Sequence, residues 1–338
     1  MTLDRRGLLL GTSALFVAGC AAPKGSPSTS ATATSPSPST SAASAPSASA
    51  PATTAAAASQ APAPAPLPAT VPWSADGNEI QGAVKLVATR MIEALGTWDA
   101  STAGVAAAGA RLSALGVDPA LASQAADLLT GGVLAKVQVI DAQYGGLLAS
   151  SASVLIPTRQ WVIAQSGAIT ERGWTFDVRL SAGVPSWRVT AINPSAAGAA
   201  AAVDSLATQV LTSSRIDLPP ASRADIASGQ VHDTVLRAML GLAQTYTIGV
   251  SVIRSGHPTY VFGTTRLSDH PRGRAFDTWR INGMPVVAAS TPRSLVTGYM
   301  TAVAAAGSYN VGGPYLLNGS VYFSDQTHHD HIHAGFST

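Results

Sequence analysis

The sequence is poor in cysteine and in charge, and histidine is missing from its first two thirds. Cys20 is the one cysteine among 338 residues, which excludes a disulfide within the chain. Charged residues make up 11% of the chain, and segment 73–338 carries 17 basic and 17 acidic residues. This balance lacks the positive excess with which proteins bind nucleic acid, so we expect no nucleic-acid partner. All seven histidines follow residue 231, which directs the search for chemistry to the end of the chain.

Segment 21–72 has no aromatic residue, one charge (Lys24) and 11 of the 22 prolines. The rest of it is almost wholly Ala, Ser and Thr, a composition that cannot bury a core. At roughly 3.1 Å per residue, 52 extended residues would reach on the order of 160 Å. We expect a disordered tether here. The 266 residues that follow are enough for one large or two ordinary domains.

The first 20 residues have the three zones of an export signal. Arg5 and Arg6 supply the positive start, and the apolar run Leu8–Ala18 is too short to span a bilayer. Val17-Ala18-Gly19-Cys20 resembles the lipobox of bacterial lipoproteins, in which the cysteine is lipidated. The paired arginines also resemble a twin-arginine signal, so Sec and twin-arginine export both stay open. The leader predicts a lipid anchor at Cys20 on the extracytoplasmic face of the cell membrane.

Segment 73–198 predicts an α+β accessory domain. Apolar residues recur at helical spacing from Glu79 to Leu129, and Asp118-Pro119 is typical of a helix start. Strand patterns follow at Val133–Val139, Ser153–Val162, Thr175–Leu180 and Trp187–Ile192. This order of elements resembles the cone-like nuclear-transport-factor-like and cystatin-like folds. The segment has no histidine or cysteine, so we expect it to serve in docking or spacing.

Segment 199–338 carries the candidate chemistry. The pattern predicts a helix over 233–245, a strand at Ile248–Ile253, a helix over 293–306 and an irregular hairpin from Tyr309 to Tyr322. His331 and His333 are two residues apart, so on a strand both side chains point to one face, and the apolar residues between and after them face the core.

His270, Asp277 and His333 are candidate metal ligands. With no cysteine in the folded part, a transition-metal site must use imidazole and carboxylate. Gly273 and Ala275 have small side chains or none, so the segment between His270 and Asp277 can turn and bring these two side chains to the same metal ion. Three protein ligands leave a fourth position for water, which is the arrangement of catalytic zinc sites.

These residues also form a recognisable signature. Ser268-x-His270-x-x-Gly273-x-Ala275-x-Asp277, followed by Asp330-His331-x-His333, resembles the motifs of zinc D-alanyl-D-alanine peptidases, which share a fold with hedgehog domains. The resemblance covers roughly residues 213–338. It implies an α+β fold with a central antiparallel sheet, and a metallopeptidase that cleaves peptidoglycan stem peptides.

The resemblance also implies roles for individual residues. His270, Asp277 and His333 would bind zinc. Asp330 would be the general base, taking a proton from the attacking water and passing it to the leaving amine. His331 would steady the oxyanion. Ser251-x-x-Arg254-Ser255 resembles the family's SxxRS segment, whose arginine holds substrate or developing charge. The resemblance therefore makes Arg254 a candidate catalytic residue, and Ser251, Arg254 and Ser268 candidate substrate-binding residues in the same pocket.

Several alternatives stay open at this point. The D-Ala-D-Ala peptidases usually have Glu at the base position, whereas Asp occurs in phage peptidases that cut L-Ala-D-Glu bonds, so either bond is possible. Asp325 is a rival base. A free substrate carboxylate would need a cation, and the candidates are Arg254, Arg266, Arg272 and Arg274. The other function to consider is a zinc-containing protein on the same fold that binds the cell wall without hydrolysis.

Overall fold

The computed structural model describes residues 66–184 and 186–338. The predicted signal peptide, the lipidation site Cys20 and the predicted tether up to residue 65 lie outside the described residues. The last residues assigned to the tether contact the folded region. The Val71 N–H donates to Gln138 Oε1 at 2.8 Å, and Gln138 Nε2 donates to the Val71 carbonyl at 2.9 Å. Among the described helices, none is long and apolar enough to cross a membrane.

The described part is a mixed α+β structure, as predicted, with six α-helices and one 3₁₀ helix. In chain order they are α1 (Gly82–Gly96), α2 (Gly104–Ala114), the 3₁₀ helix (Pro119–Leu129), α3 (Ser205–Thr212), α4 (Pro220–Ala227), α5 (Asp233–Ala243) and α6 (Arg293–Ala305). Asp118 caps the 3₁₀ helix, since its Oδ1 accepts a hydrogen bond from the Ala120 N–H at 2.9 Å and Pro119 occupies the first turn. The predicted helix start is therefore confirmed.

Fourteen strands are described, and they form two sheets. They are β1 (Trp98–Asp99), β2 (Leu134–Val139), β3 (Gln143–Leu147), β4 (Ser151–Ile163), β5 (Ile169–Arg172), β6 (Thr175–Ser181), β7 (Arg188–Pro194), β8 (Ile216–Asp217), β9 (Ile248–Val250), β10 (Ala275–Ile281), β11 (Met284–Pro285), β12 (Asn310–Gly312), β13 (Tyr322–Phe323) and β14 (Ile332–Gly335). The first sheet lies before residue 198 and the second after it. We call these parts of the chain the first half and the second half.

The first half is an antiparallel sheet covered by helices. The strand order is β1-β2-β4-β6-β7, and β3 and β5 both pair with the long strand β4. Helix α1 buries Val84, Ala88, Met91 and Leu95 at helical spacing against this sheet. Strand β3 was not predicted, because Gly145-Gly146 interrupts its alternating pattern. A Cβ at Gly146 would lie 2.1 Å from the Phe262 side chain, so glycine lets β3 approach the second half.

The second half has a sheet that is antiparallel at its centre, in the order β13-β12-β14-β10-β9-β8, with β11 paired to β10. Helices α5 and α6 pack against it. Ile332, Ala334 and Phe336 lie in the core, as predicted. The hairpin expected between Tyr309 and Tyr322 is wrong in its direction, because β12 and β13 pair in parallel across an intervening loop.

Candidate metal centre

The central strand pair of the second half brings two predicted ligands together. Strands β10 and β14 are antiparallel, and their register sets Asp277 directly opposite His333. His270 comes from the loop before β10, which turns at Gly273 with φ at +69°. A Cβ at this position would lie 2.0 Å from the Gln230 carbonyl oxygen, so only glycine fits the turn.

The three predicted ligand atoms form a small triangle. His270 Nε2 lies 3.2 Å from Asp277 Oδ1 and 3.1 Å from His333 Nδ1, and His333 Nδ1 lies 3.1 Å from Asp277 Oδ1. Tetrahedral zinc with bonds of about 2.0–2.1 Å separates its ligand atoms by about 3.3–3.4 Å. The triangle therefore has nearly the size of a zinc ligand face, and the three residues fit the metal.

Two of the candidate ligands, His270 and Asp277, are also oriented by hydrogen bonds to the atoms that do not face the metal, as is usual for metal ligands. His270 Nδ1–H donates to the Ile253 carbonyl at 2.8 Å, which leaves the Nε2 lone pair for the metal. Asp277 Oδ2 accepts a hydrogen bond of 2.6 Å from Gln143 Nε2, a residue of β3 in the first half. Burial, stronger here than the carboxylate of Asp277, lowers the pKa of His333 to about 4, so its ring is neutral as ligation requires.

A fourth side chain, His257, also lies within reach of a metal. His257, His270 and Asp277 can each offer an atom within 4.8 Å of the others, a grouping that could hold a metal ion. The His257 ring stacks on His270 at a centroid distance of 4.1 Å and an angle of 13°. We keep His333 as the third candidate ligand because its Nδ1 lies 3.1 Å from both His270 Nε2 and Asp277 Oδ1. The run Ser255-Gly256-His257-Pro258 predicts a turn whose histidine lines the cleft, and His257 does line the cleft described below.

Asp330 and His331 form a buried pair next to the triangle. His331 Nδ1–H donates to Asp330 Oδ1 at 2.5 Å, and His331 Nε2 lies 3.8 Å from Asp277 Oδ2. Asp330 Oδ2 contacts Lys85 Nζ of α1 at 2.5 Å and accepts from the Tyr144 N–H at 3.1 Å. Both oxygens of the predicted base are therefore engaged, and two of their partners come from the first half.

Lys85 is a fully buried ammonium between two carboxylates, Asp330 and Glu79. Burial alone would lower its pKa, but the charges of Asp330 and Glu79 outweigh burial and raise it. For Asp330, burial would raise the pKa, yet the Lys85 charge and the His331 hydrogen bond hold it at about 2. Nothing in the sequence distinguished Lys85 from Arg90 and Glu93, the other charged residues of α1.

Of the three predicted substrate-binding residues, Ser268 lies at the candidate site, whereas Ser251 and Arg254 make contacts within the protein. Ser268 lines the cleft described below, and its Oγ lies 3.4 Å from His257 Nδ1. Ser251 is fully buried, and its hydroxyl donates to Gln143 Oε1. The structure does not bring Arg254 to the ligands: its guanidinium donates to the Ala197 carbonyl at 3.2 Å and lies 3.7 Å from Asp225 Oδ1.

A cleft of about 570 Å³ opens onto the ligand triangle, and both halves form its walls. The first half contributes residues 144–148. Second-half residues on the walls include His257, Phe262, Arg266, Tyr322, Phe323, Asp325, His328 and His331. Of the four arginines considered from the sequence, Arg266 lines the cleft. Asp325 pairs with His328 at 2.8 Å; burial would raise its pKa, but this hydrogen bond and charge hold it at about 2.

Comparison of the chain with protein-family models, with curated proteins and with solved structures found no match. The functional argument therefore depends on the motifs and on the geometry of the described residues.

Proposed function

We propose that this protein is a zinc-dependent peptidase that cleaves peptide bonds in peptidoglycan stem peptides. The observation that supports it best is the triangle of His270 Nε2, Asp277 Oδ1 and His333 Nδ1, with sides of 3.1–3.2 Å, on the wall of a cleft of about 570 Å³. Zinc held there would supply Lewis acidity to the scissile carbonyl and to an attacking water.

The buried pair Asp330–His331 supplies the groups for proton transfer. His331 lines the cleft, and Asp330 fixes its ring through Nδ1. We place proton transfer at His331 Nε2, with Asp330 orienting the imidazole and stabilising its charged form, because both Asp330 oxygens are already engaged. Asp330 as the base, which the family resemblance implies, requires Lys85 and Tyr144 to release it.

The cleft supports a peptide substrate with a free carboxylate. Arg266 is a cation on its wall, and aromatic rings such as Phe262, Tyr322 and Phe323 offer apolar contact for alanine-sized side chains. Both D-Ala-D-Ala and L-Ala-D-Glu bonds fit this description. We assign the second half to the hedgehog and D-Ala-D-Ala peptidase fold and the first half to a cone-like fold. Lipidation at Cys20 would anchor the protein to the cell membrane, outside the cytoplasm.

Metal content and digestion test the proposal together. Full-length wild type should contain one zinc per chain by mass spectrometry, and His270→Ala and His333→Ala should lose it. His232→Ala removes a histidine of the same half at the start of α5, outside the cleft, and should keep its zinc. Zinc-loaded wild type should cleave purified stem peptides, and His270→Ala should not. Zinc-free wild type, or cleavage by His270→Ala, would refute the proposal.

The engaged Asp330 favours a second candidate function, a zinc-containing protein that binds stem peptides without cutting them. Lys85 and Tyr144 hold the carboxylate that the resemblance assigns to proton transfer. In that case the wild type would bind zinc and retain stem peptides on an affinity column, but long incubation would leave the peptides intact.

A further inference from the structure

We propose that the first half is part of the metal centre, and that Gln143 of β3 is a positioning residue for the ligand Asp277. This inference rests on the proposed metal site. Gln143 and Asp277 are separated by 134 residues, yet Gln143 Nε2 donates to Asp277 Oδ2 at 2.6 Å and its side chain is fully buried.

The orientation of the Gln143 amide follows from its two partners. A carboxylate oxygen only accepts, so the NH₂ group faces Asp277 and Oε1 faces Ser251. The Ser251 hydroxyl donates to that Oε1. Ser251 therefore holds Gln143 in place, which gives this residue a function other than the substrate contact that the motif implies.

The hydrogen bond decides which oxygen of Asp277 is free. Oδ2 is taken by Gln143, while Oδ1 lies 3.1–3.2 Å from the two imidazole nitrogens. Asp277 is thus presented as a ligand through one oxygen, in a fixed rotation. Without the Gln143 amide, the Asp277 carboxylate could rotate. Metal binding would then have to fix its orientation, and this loss of rotational freedom would lower the metal affinity. Loss of such a supporting contact weakens metal binding by about 10–100-fold.

A second hydrogen bond from β3 also supports a role of the first half in the metal centre. The N–H of Tyr144, the residue next to Gln143, donates to Asp330 Oδ2. Strand β3 therefore holds both the ligand Asp277 and the pair Asp330–His331. Gly146 of β3 permits this approach, because a Cβ there would lie 2.1 Å from the Phe262 side chain of the second half.

The test is the zinc affinity of the full chain, measured by competition with a chromophoric chelator. Gln143→Met should bind zinc about 10–100-fold more weakly than the wild type. Gln160→Met is the matched control. Gln160 is also fully buried in the first half, but its Nε2 donates to the Gly96 and Leu128 carbonyls, both at 2.8 Å. This variant should keep wild-type affinity even if its stability falls.

A second variant keeps the test decisive if Gln143→Met does not fold. Ser251→Ala removes the hydroxyl that holds Gln143 and should weaken zinc binding in the same direction, by a smaller factor. Wild-type affinity in either folded variant, or an equal loss in Gln160→Met, would overturn this inference while the metal site stands. A wild type without zinc would overturn the proposed function and this inference with it.

Discussion

Lys85 of the first half contacts Asp330 of the second half, next to the candidate metal ligands, and its removal should be strongly destabilising. In Lys85→Met the side chain keeps a similar length but loses the ammonium, which leaves Glu79 and Asp330 buried without their cation. Breaking a buried ion pair by removing one partner costs about 3–5 kcal/mol. For a chain of this size, about 2–4 °C is lost per kcal/mol, so the midpoint of thermal unfolding should fall by roughly 10 °C.

Thermal unfolding followed by circular dichroism measures the effect, with Lys136→Met on β2 as the control. Lys136 is part-buried, and no side-chain partner of it is found among the described residues, so its removal should change the midpoint little. The double variant Lys85→Met/Asp330→Asn removes the carboxylate whose charge depends most on Lys85, since the pKa of Asp330 is about 2, and should recover part of the loss. A Lys85→Met midpoint within about 2 °C of wild type would refute the view that these charges depend on Lys85.

Three further predictions follow from single contacts. Burial, opposed by the Lys85 charge, raises the pKa of Glu79 from 4.5 to about 7, so the folded state holds a proton that the unfolded state has lost. Stability should therefore fall as pH rises from about 4.5 to about 7, and urea titrations of Glu79→Gln should show a smaller fall. Gly273→Ala should destabilise the fold by at least about 1–3 kcal/mol and weaken zinc binding, because its Cβ would meet the Gln230 carbonyl. Gly283→Ala, with a similar φ of +82° but open space, should leave zinc binding unchanged, and an equal effect of the two would contradict this reading. Arg266→Ala should raise KM roughly tenfold for peptides with a free terminal carboxylate, with little change in kcat, whereas an amidated peptide should show no difference.

Much of the fold could be predicted from local patterns. The apolar spacing in α1, α5 and α6 and the alternation in β2, β4 and β6 follow from the helical and strand periods, and the structure has these elements close to the predicted positions. Two corners of the triangle follow from local information, since the spacing of His270, Gly273 and Asp277 describes one turn and one strand. His333 could be named as a candidate from its residue type and place on a strand, but the register that sets it opposite Asp277 could not be predicted, because β10 and β14 are distant in sequence.

What could not be predicted lies in contacts between the halves. Gln143 lies on β3, whose alternating strand pattern is interrupted by Gly145 and Gly146. Its partner Asp277 is 134 residues away, so no sequence periodicity relates the two residues. Arg254 is part of a motif that implies a substrate contact, but its guanidinium donates to the Ala197 carbonyl and to Gln230 Oε1. The burial of Lys85 could not be predicted either. A lysine within a helix such as α1, which also contains Arg90 and Glu93, either reaches the surface or finds buried carboxylates, because an unpaired ammonium is too costly to bury. The helical pattern does not choose between these two outcomes, and the structure shows that Lys85 is buried and that its partner Asp330 lies beside the candidate metal ligands.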